Sequence, residues 1–185
     1  MSRRRPGLAS GAWALATFVI LLALAVVVVV AMLAPYLGRA REASQREALR
    51  ERCAANLREV WVALDAWWTE RGALPERLED LVLQGFLTNR EALACPEPGP
   101  AGRTLGPEGI ICDYAYVRFS SRVAATGAPI VFDRSGAHGG EGRNFLFDGG
   151  VVEFRQESQA QALFGEWASA NSEFRVFLQE SGGAP

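Results

Sequence analysis

The 185-residue chain has no lysine, a single histidine, and no charge between residues 6 and 38. No acid occurs before Glu42. Each absence excludes something. All 19 basic residues are arginine, which we read as coding bias and not as function. Residues 39–185 hold 16 of those arginines and all 21 acids, a net charge of −5. Nucleic acid favours a basic face, so it is not an expected partner. The lone His138 has no second imidazole to work with, His/Cys zinc spacing is missing, and no serine-nucleophile motif occurs. The chain therefore reads as a non-enzyme.

What is present begins with a long apolar run. Residues 12–34, AWALATFVILLALAVVVVVAMLA, number 23, and a helix needs about 20 to cross a bilayer. A secretory signal has an apolar region of roughly 7 to 15 residues, so this segment is expected to be retained as a transmembrane helix. Twin arginines near the start belong to another export signal, but the rest of that motif is absent. Arg3, Arg4 and Arg5 keep residues 1–11 in the cytoplasm by the positive-inside rule. The expectation is a single-pass protein of the inner membrane, its C-terminal domain periplasmic or extracellular.

The helical pattern continues past the membrane segment. Leu49, Cys53, Leu57, Val60, Leu64 and Trp67 recur at spacings of 4, 4, 3, 4 and 3, one face of a helix. Trp61 and Trp68 widen the stripe, and Cys53 reads as a small core residue. Arg71-Gly72 and Pro75 end the pattern. Residues 35–71 are thus expected to continue the same helix, with a kink at Pro35.

Residues 72–155 read as an α+β head. PERLEDLVLQGF is a short helix stopped at Gly85; CDYAYVRF and APIVFD are strands. RNFLF and GVVEFR flank Asp148-Gly149, a type I′ hairpin signal. A two-residue turn pairs Phe147 with Gly150, Phe145 with Val152 and Arg143 with Phe154. Phe145, Phe147, Val152 and Phe154 would then share the face that covers Leu57, Trp61 and Leu64. Cys95 and Cys112 flank a Gly/Pro-rich loop with no regular pattern. A disulfide between them would contribute roughly 3 kcal/mol; the alternative is that all three cysteines are buried free thiols. Residues 156–180 form an amphipathic helix on Leu163, Trp167, Ala170, Phe174 and Phe177, broken at Gly165 or Asn171. It either packs on the head or docks a partner. Residues 181–185 are a tail.

His138 lies in the glycine-rich SGAHGGEGRN. One role is architectural: hydrogen bonds to loop carbonyls or to the Asp148 carboxylate. The other is metal binding, with Asp133, Glu141 and Asp148 as hard oxygen ligands suited to Ca²⁺. No other cofactor is expected.

A membrane helix, a proline near its outer end, GRARE, and then CAANLREVWVALDAWWTERGALPERLEDLV resemble the type IV pilins and type II secretion pseudopilins. The resemblance is closest to the members carrying a C-terminal signature of His, nine residues, then Asp-Gly. His138, Asp148 and Gly149 match that signature, and CPEPG, CDYAYV and APIVFDRSGAHGGEGRNFLFDGGVVEF add to it. It covers residues 12–155. It implies a pilin-like fold, a long helix on a small antiparallel sheet. It also implies a structural subunit that contacts other pilin-like or secretion-machine proteins, and it strengthens the calcium reading. One departure stands out. The family carries a glycine at the processing site and a glutamate five residues on; here Gly7 and Gly11 are candidates, without that acid. The alternative function is a stand-alone anchored module that binds a ligand or ion outside the cell.

Overall fold

The structure is a computed structural model that describes residues 9–99 and 105–180. The expected cytoplasmic N-terminus lies almost wholly, and the tail wholly, outside the described residues. The fold is α+β: a long N-terminal helix and a four-stranded antiparallel sheet with shorter helices. The chain divides into two compact units, Met1–Gln45 and Arg46–Pro185. Helix α1, Ala9–Arg71, contributes to both.

In the first unit the apolar side chains of α1 have no protein cover. Leu22 is 56% exposed, Val26 54% and Leu37 64%. Water would penalise such a surface by about 25 cal/mol for each Å². This helix, alone among the described residues, is long and apolar enough to cross a membrane. Pro35 lies inside it. Its ring removes one helical N–H, yet the helix runs on without interruption.

In the second unit the strands are β1, Tyr114–Tyr116; β2, Pro129–Asp133; β3, Gly142–Phe147; and β4, Val152–Gln156. They pair in chain order, all antiparallel. Residues 46–71 of α1 cover one face of this sheet. Cys53, Leu57, Val60 and Leu64 are fully buried, as the stripe requires. Helices α4, Glu157–Ala170, and α5, Ser172–Glu180, cover the other face. There Phe132 and Phe145 pack on Phe164 at centroid distances of 5.4 and 5.8 Å, and Phe145 meets Trp167 at 5.2 Å. The helix expected over residues 156–180 therefore belongs to the head's core. It breaks at Asn171, whose side-chain oxygen accepts from the N–H groups of Glu173 and Phe174 and so caps α5. Gly165 stays inside α4. Short helices α2, Glu79–Leu83, and α3, Arg122–Ala125, complete the head.

The hairpin register differs from expectation by one residue. Leu146 pairs with Val152, Phe145 with Glu153, and Asn144 with Phe154. The turn uses three residues, Asp148, Gly149 and Gly150. It closes with Phe147 N–H donating to the Val151 carbonyl at 2.9 Å and Gly150 N–H donating to the Phe147 carbonyl at 3.2 Å. Gly149 and Gly150 both have left-handed φ, +85° and +78°. The cause is a second glycine that the turn absorbs. At Gly150 a Cβ would also sit 2.6 Å from the Trp61 ring, so only glycine fits the approach of α1. A one-residue shift moves every β4 side chain to the opposite face. Phe154 and Val152 now share the α1 face with Asn144 and Leu146, while Phe145 and Phe147 face α4. The Arg50 guanidinium lies over the Phe154 ring at 4.7 Å.

Candidate functional site

Between α1 and the sheet, the apolar packing gives way to a polar cluster. Cys53 comes from α1, and Cys95 from the segment after the short 3-10 helix Arg90–Leu93. Asp133 ends β2, and His138 sits in the turn Ala137–Gly140. All four are buried to within 1% exposure. Their ligand atoms, two sulfurs, one carboxylate oxygen and one imidazole nitrogen, lie within 4.8 Å of one another.

The pieces are placed by local rules. Cys53 is one step in the 4-4-3 stripe, so helix geometry aims it inward. Antiparallel pairing of Tyr114 with Asp133 puts both side chains on the α1 face. His138 adopts a left-handed conformation, φ +53°, rare for a residue with a Cβ. Glycines at 136 and 139, at φ +80° and +65°, let the chain double back around it. The His138 N–H donates to the Glu97 carbonyl at 3.2 Å, which ties this turn to the Cys95 loop. Such strain persists where surrounding contacts over-determine it.

Asp133 is the hub. Its Oδ1 accepts from the Cys53 thiol at 3.0 Å. Its Oδ2 accepts from the Asn144 backbone N–H at 2.7 Å and from Asn144 Nδ2 at 2.9 Å, and it lies 2.9 Å from His138 Nε2. On the other side of the imidazole, Nδ1 is buried without a hydrogen-bond partner, as is Glu97 Oε2. These two atoms are 3.8 Å apart. Burial alone would depress the His138 pKa, but the hydrogen bond and charge of Asp133 outweigh it, and the net shift is upward. The two thiols are driven apart. The pairing with the neighbouring Cys95 sulfur, then burial and the Asp133 charge, raises Cys53; the same pairing lowers Cys95. Tyr114, whose hydroxyl is 3.5 Å from Cys53 Sγ, is raised well above the usual phenol range by burial and then by Cys53.

Of the residues named from sequence, the fold brings Asp133 and His138 together. Glu141 does not join them. It pairs at the surface with Arg46 at 2.7 Å and lies 3.9 Å from Arg50. Asp148 stays in the hairpin turn, outside the cluster. The carboxylate that holds His138 is Asp133, not Asp148. The expected Cys95–Cys112 bond is not formed: all three cysteines are free and buried. Cys95 instead faces Cys53, because the chain after Leu93 turns in under α1. Cys112 lies apart, its thiol 3.9 Å from the Tyr114 carbonyl. Sequence reasoning missed Cys53, Cys95, Glu97 and Asn144 as members of the site. Cys53 gave no signal, since a small residue on an apolar stripe fits a core position equally well.

Cys53, Cys95, Asp133, His138 and Asn144 are closed off from solvent, while Glu97 is partly exposed at the edge of the cluster. The cluster can tie four chain segments together, and it has the donor set of a metal centre. Comparisons with known protein families, with curated proteins and with solved structures found no match to this chain.

Proposed function

We propose that this protein is a membrane-anchored, pilin-like structural subunit of an envelope assembly of the type II secretion or type IV pilus kind. One observation carries the reading. A single helix offers an uncovered apolar surface from Leu15 to Leu37 and then supplies Cys53, Leu57, Val60 and Leu64 to the core of the head. A simple lipid anchor has no need to share its helix with the domain core. A subunit that packs side by side with others through its membrane segment uses a helix that continues into its head. The sequence resemblance, His138 to Asp148-Gly149 included, points the same way. On this reading the N-terminal arginines lie in the cytoplasm and the head lies outside, in contact with other pilin-like or secretion-machine subunits.

A stand-alone anchored module is the second reading. It is favoured by the lack of any acid before Glu42, since filament entry in the resembled family uses one. Site-specific photocrosslinkers at Leu22, Val26 and Val29 of the full chain in native membranes separate the two. The subunit reading expects crosslinked multimers or a defined small membrane partner. Monomer alone at all three positions would refute it. N-terminal sequencing adds a check: an intact start is expected, and a mature chain beginning at Leu8 or Ala12 would instead show prepilin-peptidase cutting.

A further inference from the structure

We propose that Cys53, Cys95, Asp133 and His138 form a closed, four-coordinate zinc site that staples α1 to the sheet. Nothing in this inference depends on the subunit reading, because the site lies wholly inside the head.

The donor set selects the metal. Two thiolates, one imidazole and one carboxylate suit a tetrahedral borderline-soft ion, and zinc is that ion in structural sites. Calcium wants six to eight oxygens, which this cluster does not have. In a tetrahedral site with metal–ligand distances of about 2.0 to 2.3 Å, ligand atoms stand about 3.3 to 3.8 Å apart. The four ligand atoms here already lie within 4.8 Å of one another. Contraction by at most about 1.5 Å completes the shell. All four side chains are buried, so no coordination position opens to solvent, and the site is structural rather than catalytic.

The surroundings are those of a metal site's outer shell. Asp133 needs only one oxygen for the ion. Oδ1, beside Cys53, is the one available; Oδ2 is already held by the backbone and side-chain N–H groups of Asn144. His138 would ligate through Nε2, now directed at Asp133. That leaves Nδ1–H to donate to Glu97 Oε2, 3.8 Å away. Both of those buried atoms lack a hydrogen-bond partner at present, and buried polar groups are rarely left so. Ligating histidines commonly pass their other N–H to a carboxylate in this way. Metal entry releases the two thiol protons to solvent, and the neutral imidazole carries its one ring proton on Nδ1; no oxidant or reductant takes part.

The competing chemistry is a Cys53–Cys95 disulfide, formed with loss of two electrons to an external oxidant. It would remove the thiol that donates to Asp133 Oδ1. A buried carboxylate oxygen would then lose its only donor, and His138 Nδ1 and Glu97 would stay unpaired. Zinc satisfies all of these groups at once.

The test uses the full chain purified in detergent without chelator. Elemental analysis is expected to find one zinc per chain. Replacement by cobalt(II) is expected to give the visible absorption of a tetrahedral ion with thiolate-to-cobalt charge transfer. Cys112→Ser should keep both signals. Cys53→Ser and Cys95→Ser should each retain less metal, and any cobalt that stays should show a weaker charge-transfer band. Those two variants risk misfolding, so Glu97→Gln, whose side chain touches no ligand atom directly, provides the second arm. It should still bind one zinc, with affinity lowered ten- to a hundredfold in chelator competition. A chain that is metal-free as isolated and takes up no zinc after reduction overturns the proposal. So does a Cys53–Cys95 disulfide in non-reducing peptide maps, a melting temperature raised by calcium but not zinc, or unchanged zinc retention in Cys95→Ser.

Discussion

Gly150→Ala tests the hairpin register and the packing of α1 in one substitution. Gly149 and Gly150 share a left-handed φ, +85° and +78°. An alanine in that conformation costs about 1–2 kcal/mol. The neighbours differ: a Cβ on Gly149 meets nothing within 4 Å, while one on Gly150 meets Trp61 Cδ1 at 2.6 Å and Nε1 at 3.0 Å. The Trp61 ring is half-buried beneath the Arg122 guanidinium, 5.7 Å away, and must shift. Overpacking of this kind costs about 1–3 kcal/mol. The expected losses are therefore about 1.5 kcal/mol for Gly149→Ala and about 3 kcal/mol for Gly150→Ala. In a domain of this size each kcal/mol lowers the melting temperature by about 2–4 °C. Tryptophan fluorescence on heating the full chain in detergent reads both. Trp61→Ala is destabilising in its own right, but in its background Gly150→Ala should cost no more than Gly149→Ala, a coupling of about 1.5 kcal/mol. A two-residue turn would make Gly150 an ordinary strand residue opposite Phe147, where alanine is nearly neutral. Equal costs for the two alanines, or an undiminished Gly150→Ala cost without Trp61, would refute the three-residue turn against α1.

Further predictions follow from single contacts. Burial, with the Glu79 charge adding, pushes the Cys112 thiol up to about 12. At pH 8 its alkylation in the folded protein should run about a thousandfold slower than after denaturation, read by mass spectrometry, and equal rates would contradict the burial. Because the folded pKa is raised, the Cys112 contribution to stability is intact below about pH 8.5 and is lost as pH rises toward 12; Cys112→Ser should flatten that alkaline limb of a stability–pH curve. Asn171→Ala removes the cap of α5 and should cost about 1 kcal/mol in a chemical melt, where no change would show the cap to be idle. Arg143, 1% exposed, donates through Nε to Glu157 at 3.0 Å and lies 5.2 Å over the Phe164 ring. Arg143→Met should lose about 2 kcal/mol in the same melt, and a neutral result would mean that Met packing replaces the ion pair.

Local periodicity was legible in the sequence, and long-range placement was not. The α1 stripe needed only the 3–4 spacing of apolar residues, which is a property of the helix itself. Both hairpin strands were evident from alternation around Asp148-Gly149. The register was not, because Asp-Gly followed by a second glycine fits a two- or a three-residue turn, and the choice rests on Trp61, some ninety residues away in the chain. The C-terminal stripe shows the same limit on a smaller scale. Leu163 and Phe164 are adjacent, and the 3–4 spacing accepted Leu163; the structure buries Phe164 against Phe132 and leaves Leu163 half-exposed. In the site, Asp133 and His138 were visible as titratable residues close together in sequence. Cys95 drew attention to Cys112, its neighbour along the chain, although its spatial neighbour is Cys53 on a helix more than forty residues earlier. Sequence distance bounds a loop. It does not say which other segment the loop will be pressed against.

The register also decides whether the site can exist. Asn144 faces α1 because it pairs with Phe154 in the three-residue-turn register and because β3 pairs with β2 at Phe145–Phe132. In that orientation its side chain and its backbone N–H converge on Asp133 Oδ2. Phe154, on the same face, stands edge-on to His138 at 6.3 Å and closes the cluster from the β4 side. If β4 slipped by one residue, Phe154 would leave this face, and charged Glu153 or Arg155 would take its place against a buried imidazole. A buried charge with no arranged partner costs several kcal/mol. The glycine that admits Trp61 and the carboxylate that gathers Cys53 and His138 are therefore parts of one device. The tight turn sets the register, the register puts Phe154 beside His138, and α1 seats over a closed cluster only in that register. A substitution at Gly150 that slipped β4 would then disturb Asp133 and His138 without touching either.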